Sequence, residues 1–338
     1  MKKIDLENHF VSQAWVDAAL GNQAGYPRVV KKEGATPILH SAADAWQPFW
    51  EARLADMDSE RLKAMDEAGV DVAVVSLVAP GAEPFEPALG TQVAKRSNDT
   101  LAEAIDRHPT RFKGYASLAP KDPDAAVKEL ERCVKELGFV AWNTFCNFGD
   151  SYLDEKRFWP ILAKAEELDI PIYVHPTVPI IPQFRTYGQP IAGASFGFGA
   201  ETAMVMMRLI MSGAFDVFPK LKIILGHYGE GLAFMTDRVN RPYLGGHVWT
   251  DPALAPELKR PPGDYLMENL VVTTSGNYSN AAFVCTKIAL GIDKMALGTD
   301  YPFEDMSACV AFLEEQQMSD DEKAQLYAGT ATDLGLAP

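Results

Sequence analysis

Three of the six histidines and two carboxylates stand at the ends of short apolar runs, a distribution that could support metal chemistry. Glu7 and His9 close the first run, whereas His175, His227 and Asp300 close three later ones. Residues two apart in a strand point to the same face, so Glu7 and His9 would project together. Imidazole nitrogens and carboxylate oxygens are ligands of borderline divalent metals such as zinc. Together these residues predict a metal site.

Each of these residues also has an ordinary structural explanation when it is taken alone. Asp300 could cap the following helix, because Pro302 suits a first helical position. His175 could be a hydrogen-bonded strand-terminal residue, His227 a satisfied core histidine and Glu7 a buried structural carboxylate. All four explanations would have to hold at once, at four strand ends on one face. We therefore favour the metal site.

The elements that would carry these residues are short apolar runs that alternate with longer helical patterns. There are eight such runs, and most are nearly continuous in apolar residues, as expected for strands buried on both faces of a parallel sheet. Such an alternation predicts an α/β fold, the (β/α)8 TIM barrel, whose active sites lie at the C-terminal ends of the strands. The runs are Lys3–His9, Val70–Leu77, Phe112–Leu118, Phe139–Phe145, Pro171–His175, Lys222–His227, Leu270–Ser275 and Met295–Asp300.

The length of 338 residues is compatible with two domains or with one large barrel. An open doubly wound sheet is the alternative fold, but no glycine-rich phosphate loop follows the first run. We expect one barrel domain over residues 1–338, with a long excursion over residues 10–69 between strands one and two. That excursion is either a functional loop or lid over the active-site face, or a packed extra helix or subunit contact.

The composition argues against several classes of function. With 31 Lys and Arg against 46 Asp and Glu, the formal net charge is −15, which disfavours nucleic-acid or anionic-membrane binding. The four widely spaced cysteines form no C-x-x-C pair, as expected for reduced thiols in the cytoplasm. The chain contains no apolar run of about 18 residues that would predict a transmembrane helix. Its amino terminus lacks the apolar segment of a signal peptide.

Longer motifs around these residues resemble the amidohydrolase superfamily, and more closely its branch of metal-dependent, non-oxidative hydroxybenzoate decarboxylases. The resemblance extends over nearly the whole chain, and Glu-x-His rather than His-x-His on the first strand indicates this branch. The motifs are E-x-H at Glu7–His9, Y-V-H-P around His175, I-L-G-H-Y-G-E-G at Ile224–Gly231, T-D-Y-P-F-E at Thr299–Glu304, R-S-N-D-T-L-A-E at Arg96–Glu103, F-G-F-G-A-E-T at Phe196–Thr202 and T-T-S-G-N at Thr273–Asn277.

The resemblance implies a role for each matching residue. His227 resembles an active-site histidine beside the metal, and Glu230 resembles the carboxylate that orients it. Arg238 resembles an arginine that binds the substrate carboxylate, although it could equally be an exposed residue in a salt bridge. The resemblance also implies homodimers or homotetramers. The residues that resemble the metal ligands are Glu7, His9, His175 and Asp300.

The fourth predicted strand favours a single metal ion, because it contains no lysine that could bridge two ions as a carbamate. The ligand types suit zinc and manganese equally. No nucleotide motif is present, so we expect no organic cofactor. Asn143 and Tyr301 lie near strand ends and could hydrogen-bond ring substituents, while Phe198 could stack on a planar substrate or belong to the core.

The implied reaction is decarboxylation of a small, ortho-hydroxylated aromatic carboxylic acid. The ring carbon must be protonated before CO₂ leaves, because the ring cannot hold the electron pair of the broken bond. We favour Asp300 as the proton donor, with His227 positioning it or relaying the proton. The alternative is a hydrolase or hydratase that uses the metal to activate water. A non-catalytic metal-binding barrel is the third hypothesis.

Overall fold

Eight parallel strands form a nearly closed barrel. The computed structural model describes residues 1–23, 25–243 and 257–337. In chain order the strands are β1 (Ile4–Phe10), β2 (Arg28–Val30), β3 (Ile38–Ala42), β4 (Ala45–Pro48), β5 (Val72–Leu77), β6 (Phe112–Ala116), β7 (Ala141–Phe145), β8 (Ile172–His175), β9 (Ile223–Leu225), β10 (Leu270–Thr273) and β11 (Met295–Ala296). The barrel order is β1-β5-β6-β7-β8-β9-β10-β11, which confirms the predicted TIM barrel and all eight predicted strands.

Helices surround the barrel. Two of the long ones have a proline in the first turn, where the missing N–H costs no hydrogen bond. The helices are α1 (Gln13–Gly21), α2 (Glu51–Ala55), α3 (Glu60–Ala68), α4 (Pro87–Arg107), α5 (Pro123–Lys135), α6 (Trp159–Glu167), α7 (Pro182–Arg185), α8 (Gln189–Ala192), α9 (Gly197–Met211), α10 (Ala214–Val217), α11 (Pro262–Asn269), α12 (Asn280–Leu290), α13 (Met306–Glu314), α14 (Asp320–Ala324) and α15 (Thr330–Asp333).

Two apolar cores result from the alternation along the strands. One lies inside the barrel and includes Leu6, Tyr115 and Tyr173. The other lies between the strands and the helices and includes Trp142 and Phe158. Successive side chains of a strand point alternately into these two cores, so the inner residues nearest the C-terminal ends are the ones that reach the barrel mouth.

The excursion after β1 contains regular structure rather than an irregular loop. Helices α1, α2 and α3 lie in it, together with the antiparallel sheet β2-β3-β4. Helix α1 packs on α4 and helix α3 on α13, so both join the outer layer of helices. The small sheet contacts the segment after β8, where Arg185 donates to Asp44 at 2.9 Å. The organisation of residues 1–338 as one domain stays a prediction.

The barrel closes between β1 and the segment that follows β11. Beyond the two residues of β11, the connection consists of backbone hydrogen bonds between Leu6 and Leu297, Glu7 and Asp300, and His9 and Tyr301, at 2.8–2.9 Å. We call this connection the seam. Among the described helices, none is long and apolar enough to cross a membrane.

Candidate metal centre and active site

Strands β1 and β8 and the segment after β11 bring the four predicted metal ligands together at the C-terminal mouth of the barrel. Glu7 and His9 come from β1, His175 ends β8, and Asp300 lies in the segment after β11. One potential ligand atom from each side chain lies within 4.8 Å of all the others. Three of the side chains are almost completely buried, and Asp300 is partly buried.

A β-bulge in β1 allows Glu7 and His9 to face inward. Ile4 and Leu6 point into the barrel core, so strict alternation would direct Asn8 inward and both ligands outward. The pairing with β5 shifts between Asp5 and Asn8, where β1 has one residue more than its partner. A bulge reverses the alternation. The sequence argument that residues two apart share a face holds, but it does not reveal which face that is.

The four atoms that converge have no hydrogen-bond partner of normal geometry among the described residues. They are Glu7 Oε1, His9 Nε2, His175 Nε2 and Asp300 Oδ1. His9 Nε2 lies 3.0 Å from Asp300 Oδ1, and His175 Nε2 lies 3.5 Å from Glu7 Oε1. Buried polar atoms are normally paired, so four unpaired ones that face each other require an explanation. Two nitrogens and two oxygens in this arrangement fit a divalent cation.

The opposite side of three ligands is held by hydrogen bonds. His9 Nδ1 contacts Ser76 Oγ at 3.0 Å, and His175 Nδ1 donates to the backbone carbonyl of Pro176 at 2.8 Å. Glu7 Oε2 accepts from Thr273 Oγ1 at 2.7 Å and also from Ser275 Oγ. Such contacts fix the orientation of metal ligands and the tautomer of the histidines. Burial lowers the pKa of His9, which keeps the imidazole neutral and able to bind a cation.

His227 and Glu230 form an ion pair beside the four ligands. His227 Nδ1 donates to Glu230 Oε1 at 2.6 Å, while its Nε2 lies 3.7 Å from Glu7 Oε1 and 3.9 Å from Asp300 Oδ2. Burial by itself lowers the pKa of His227, but the charges of Glu230 and Glu7 outweigh it and raise this pKa well above its ordinary value. Burial raises the pKa of Asp300, but the close approach of His175, His227 and His9 outweighs burial and holds this pKa well below its ordinary value.

The backbone can approach the His227–Glu230 pair closely because two neighbouring positions are glycines. A Cβ on Gly199 would lie 2.4 Å from Glu230 Oε2, and one on Gly276 would lie 2.7 Å from His227 Cδ2. Gly276 also has a φ of +64°, which favours glycine. No larger residue fits at either position without displacing the pair.

A cavity of about 460 Å³ opens beside His227 and Asp300. The start of α9 and the turns after β9 and β10 form its walls, and Phe198, Asn277 and Glu304 are among the lining residues. The volume suits a small aromatic molecule. Phe198, for which the sequence left stacking or core packing open, lines this cavity.

The structure places the other predicted substrate contacts outside this cavity. Tyr301 points away from the barrel, and its ring lies under the guanidinium of Arg61, 4.9 Å from the centroid. Arg238 lies in an exposed turn and does not line the cavity as far as the structure describes its walls. Asn143 is buried on the inner face of β7, where its Nδ2 has no partner among the described residues. For Tyr301 the reason is the bridge to Asn8, which turns its side chain outward.

Sequence reasoning did not identify the residues that support the ligands. Thr273 and Ser275 belong to the T-T-S-G-N motif, whose hydroxyls were a usable signal. Ser76 had no such signal, because its role depends on the pairing of β5 with the bulged β1.

The chain is similar to known proteins over nearly its whole length. The family model described as amidohydrolase matches residues 4–334. A gamma-resorcylate decarboxylase of Polaromonas sp. (strain JS666) is 34% identical, with 98% of each chain covered. The crystal structure of 5-carboxyvanillate decarboxylase from Sphingomonas paucimobilis superposes with a TM-score of 0.87 at 32% identity, covering 98% of each chain.

A second similar structure contains a metal. It is a dihydroxybenzoic acid decarboxylase from Polaromonas sp. JS666 with bound manganese and the inhibitor 2-nitroresorcinol, and it superposes with a TM-score of 0.82 at 33% identity. The comparison covers 98% of this chain and 96% of that one. The match of the family model and the identity over nearly the full length lead to one conclusion: the chain belongs to the amidohydrolase family.

Proposed function

We propose that the protein is a carboxy-lyase that removes CO₂ from an ortho-hydroxylated aromatic carboxylic acid without oxidation. The observation that carries this proposal is the set of four unpaired ligand atoms next to the His227–Glu230 pair, at the wall of a cavity of aromatic size. The similarity to gamma-resorcylate and 5-carboxyvanillate decarboxylases supports it.

Glu7, His9, His175 and Asp300 would hold one divalent metal ion. When bound, the ion supplies a positive charge that lowers the pKa of a phenol and anchors a carboxylate. The bound manganese of the Polaromonas enzyme supports Mn²⁺, and the same ligand types also suit Zn²⁺.

His227 holds the proton that the reaction needs, and Asp300 transfers it to the substrate. Oδ1 of Asp300 faces the other ligands, which leaves Oδ2 directed to His227 Nε2 at 3.9 Å. His227 holds a proton because its pKa is raised, and Glu230 keeps its ring oriented. The proton passes through Asp300 Oδ2 to the ring carbon that bears the carboxylate. The C–C bond then breaks, its electron pair restores the aromatic ring, and CO₂ leaves.

Residues at the start of α9 would contact the substrate, because they form part of the cavity wall. Phe198 stacks on the aromatic ring, which fits its position on the cavity wall. The acidic protein could still accept an anionic substrate, because a cation held by Glu7, His9, His175 and Asp300 would neutralise part of the local negative charge. No nucleic acid or membrane takes part.

We also propose that the protein is a homodimer or homotetramer in the cytoplasm. All four cysteines are free, which supports a reducing compartment. Phe234 and Ile288 are 84% and 80% exposed, which supports association through an apolar surface. Sedimentation velocity on the purified protein measures the oligomeric state.

The test is a substrate panel on protein that was stripped of metal and reloaded with Mn²⁺ or Zn²⁺. We expect CO₂ release from 2,6-dihydroxybenzoate or a related ortho-hydroxybenzoate. The control is 4-hydroxybenzoate, which has no ortho hydroxyl and should not react. A hydrated or hydrolysed product, or no turnover with metal bound, would contradict the proposal.

A further inference from the structure

The seam of the barrel carries three of the four proposed ligands but has little regular strand pairing. β11 pairs over only two residues, and one isolated bridge, between Asn8 and Tyr301, joins the following segment to β1. β1 is itself bulged next to Glu7. Single backbone hydrogen bonds join the two sides of the seam, among them the 2.9 Å bond from the Asp300 N–H to the Glu7 carbonyl. Side chains that bridge the seam therefore add to the restraint that these few bonds place on Glu7 and Asp300.

The carboxylate of Asp5 connects both sides of the seam. This side chain is fully buried on the outer face of β1. Its Oδ1 accepts from the backbone N–H of Glu7 at 3.1 Å and from that of Thr299 at 2.9 Å. Its Oδ2 accepts from Asn8 Nδ2 and from Thr299 Oγ1, both at 2.5 Å. The four donors flank the ligands, because Asn8 lies between Glu7 and His9 and Thr299 precedes Asp300.

Arg61 of α3 extends the same network from the excursion. Its side chain is fully buried, and its Nη2 donates to the backbone carbonyl of His9 at 2.6 Å. Its guanidinium also lies over the ring of Tyr301, the residue after Asp300. A buried arginine is costly unless it is paired, so these contacts indicate a specific role. The proposed chemistry does not use this residue, which does not line the cavity.

The backbone conformation of Asp300 is unfavourable and requires stabilisation by neighbouring residues. Its φ is +60°, a left-handed conformation that is unfavourable for residues other than glycine. Strained conformations persist where the surroundings hold them, and they are frequent at functional sites. The two hydrogen bonds from Thr299 to Asp5 restrain the residue directly before this strained position.

We propose that Asp5 is a positioning residue which, through Thr299 and with Arg61, sets the spacing of Glu7, His9 and Asp300 and thereby the affinity for the metal. This inference rests on the ligand set of the proposed function. It assigns a role to three residues that touch neither the cavity nor the converging ligand atoms.

The test measures the dissociation constant of Mn²⁺ for the metal-free full-length protein, from the electron paramagnetic resonance signal of free Mn²⁺. We expect Asp5→Asn and Thr299→Val to raise this constant about 10- to 100-fold. Thr299→Ser keeps the hydroxyl and should keep the wild-type constant. The matched control is Asp71→Asn, because Asp71 accepts from the backbone of Lys3 at the opposite end of β1.

The outcomes separate this inference from the proposed function. Wild-type protein that binds no Mn²⁺ would contradict the ligand set, and with it both proposals. Wild-type protein that binds Mn²⁺, with unchanged constants in folded Asp5→Asn and Thr299→Val, would overturn only the inference. If Asp5→Asn does not fold, the Thr299→Val and Thr299→Ser pair decides. The spectrum of bound Mn²⁺ should also change in the variants, which a loss of global stability alone would not cause.

Discussion

The metal end and the substrate end of the candidate site are built in different ways. At the metal end, ligands project from barrel strands and from the seam, and Glu7, His9 and His175 are 1%, 1% and 6% exposed. At the substrate end, the wall is made by the start of α9 and by turns, and Phe196 there is 57% exposed.

The metal end has a fixed geometry that suits catalysis, whereas the substrate end can vary and suits the recognition of different substrates. Groups on strand ends with hydrogen bonds on their far side keep their geometry when the substrate changes. Turns and helix starts at the rim can change in sequence without disturbing the barrel. The metal end should therefore control whether reaction occurs, and the substrate end should control which acid reacts.

The largest effect should follow from changes at the metal end. We expect Asp300→Asn and His227→Asn each to lower kcat by about 10³-fold, because each removes a group that holds or transfers the proton. Steady-state kinetics on 2,6-dihydroxybenzoate measures the loss. Asp305→Asn is the control, since Asp305 only caps α13 in the same segment. A near-normal rate would remove the substituted residue from the mechanism.

Glu230→Gln tests the carboxylate that hydrogen-bonds to His227. The loss should be about 10- to 100-fold, because the amide no longer orients a charged His227. Glu230 raises the pKa of His227, so its removal lowers that pKa. Because the proposed mechanism uses the protonated form of His227, the alkaline limb of the pH–rate profile should move to lower pH. An unmoved limb would show that His227 does not supply the proton.

Phe198→Ala tests the substrate end. We expect KM to rise about tenfold with little change in kcat, because the ring contributes binding by stacking rather than chemistry. Val217→Ala, at a position that is 54% exposed and outside the cavity, is the control. A fall in kcat as large as that of Asp300→Asn would break the distinction between the two ends.

A substitution at Glu83 should have the smallest effect on catalysis and a measurable effect on the pH dependence of stability. Burial raises the pKa of Glu83 from 4.5 to about 8 in the folded protein. Between these values the folded state binds the proton and the unfolded state does not. The free energy of unfolding should therefore fall as pH rises from about 4.5 to about 8, by up to about 1.4 kcal/mol per pH unit from this group.

Glu83→Gln removes this dependence. Urea unfolding at pH 5 and pH 8 should show a smaller difference in the variant than in the wild type. An equal difference would mean that Glu83 titrates alike in both states. The carboxyl of Glu83 accepts from Thr144 Oγ1 at 3.2 Å, a bond that an amide oxygen can also accept, so the fold should persist.

The eight strands and the cluster of Glu7, His9, His175 and Asp300 were predictable from the sequence. Strands that are buried on both faces require continuous apolar runs, and a ligand at the C-terminal end of such a run must reach the barrel mouth. Both features depend on residue type and short spacing. For the same reason the excursion of residues 10–69 was visible as excess length, although its helices and small sheet were not.

Several features of the site depend on contacts between distant segments, and only the tertiary structure reveals them. The bulge that turns Glu7 inward arises from the pairing of β1 with β5, and the outward position of Tyr301 arises from the closing seam. The buried Arg61 has a contact to His9 that spans 52 residues. No local pattern encodes such contacts, because they exist only when the first and last strands of the barrel meet. The sequence thus determined the candidate ligands and the fold that brings them together, while the closing of the barrel decided which hydrogen bonds fix their positions.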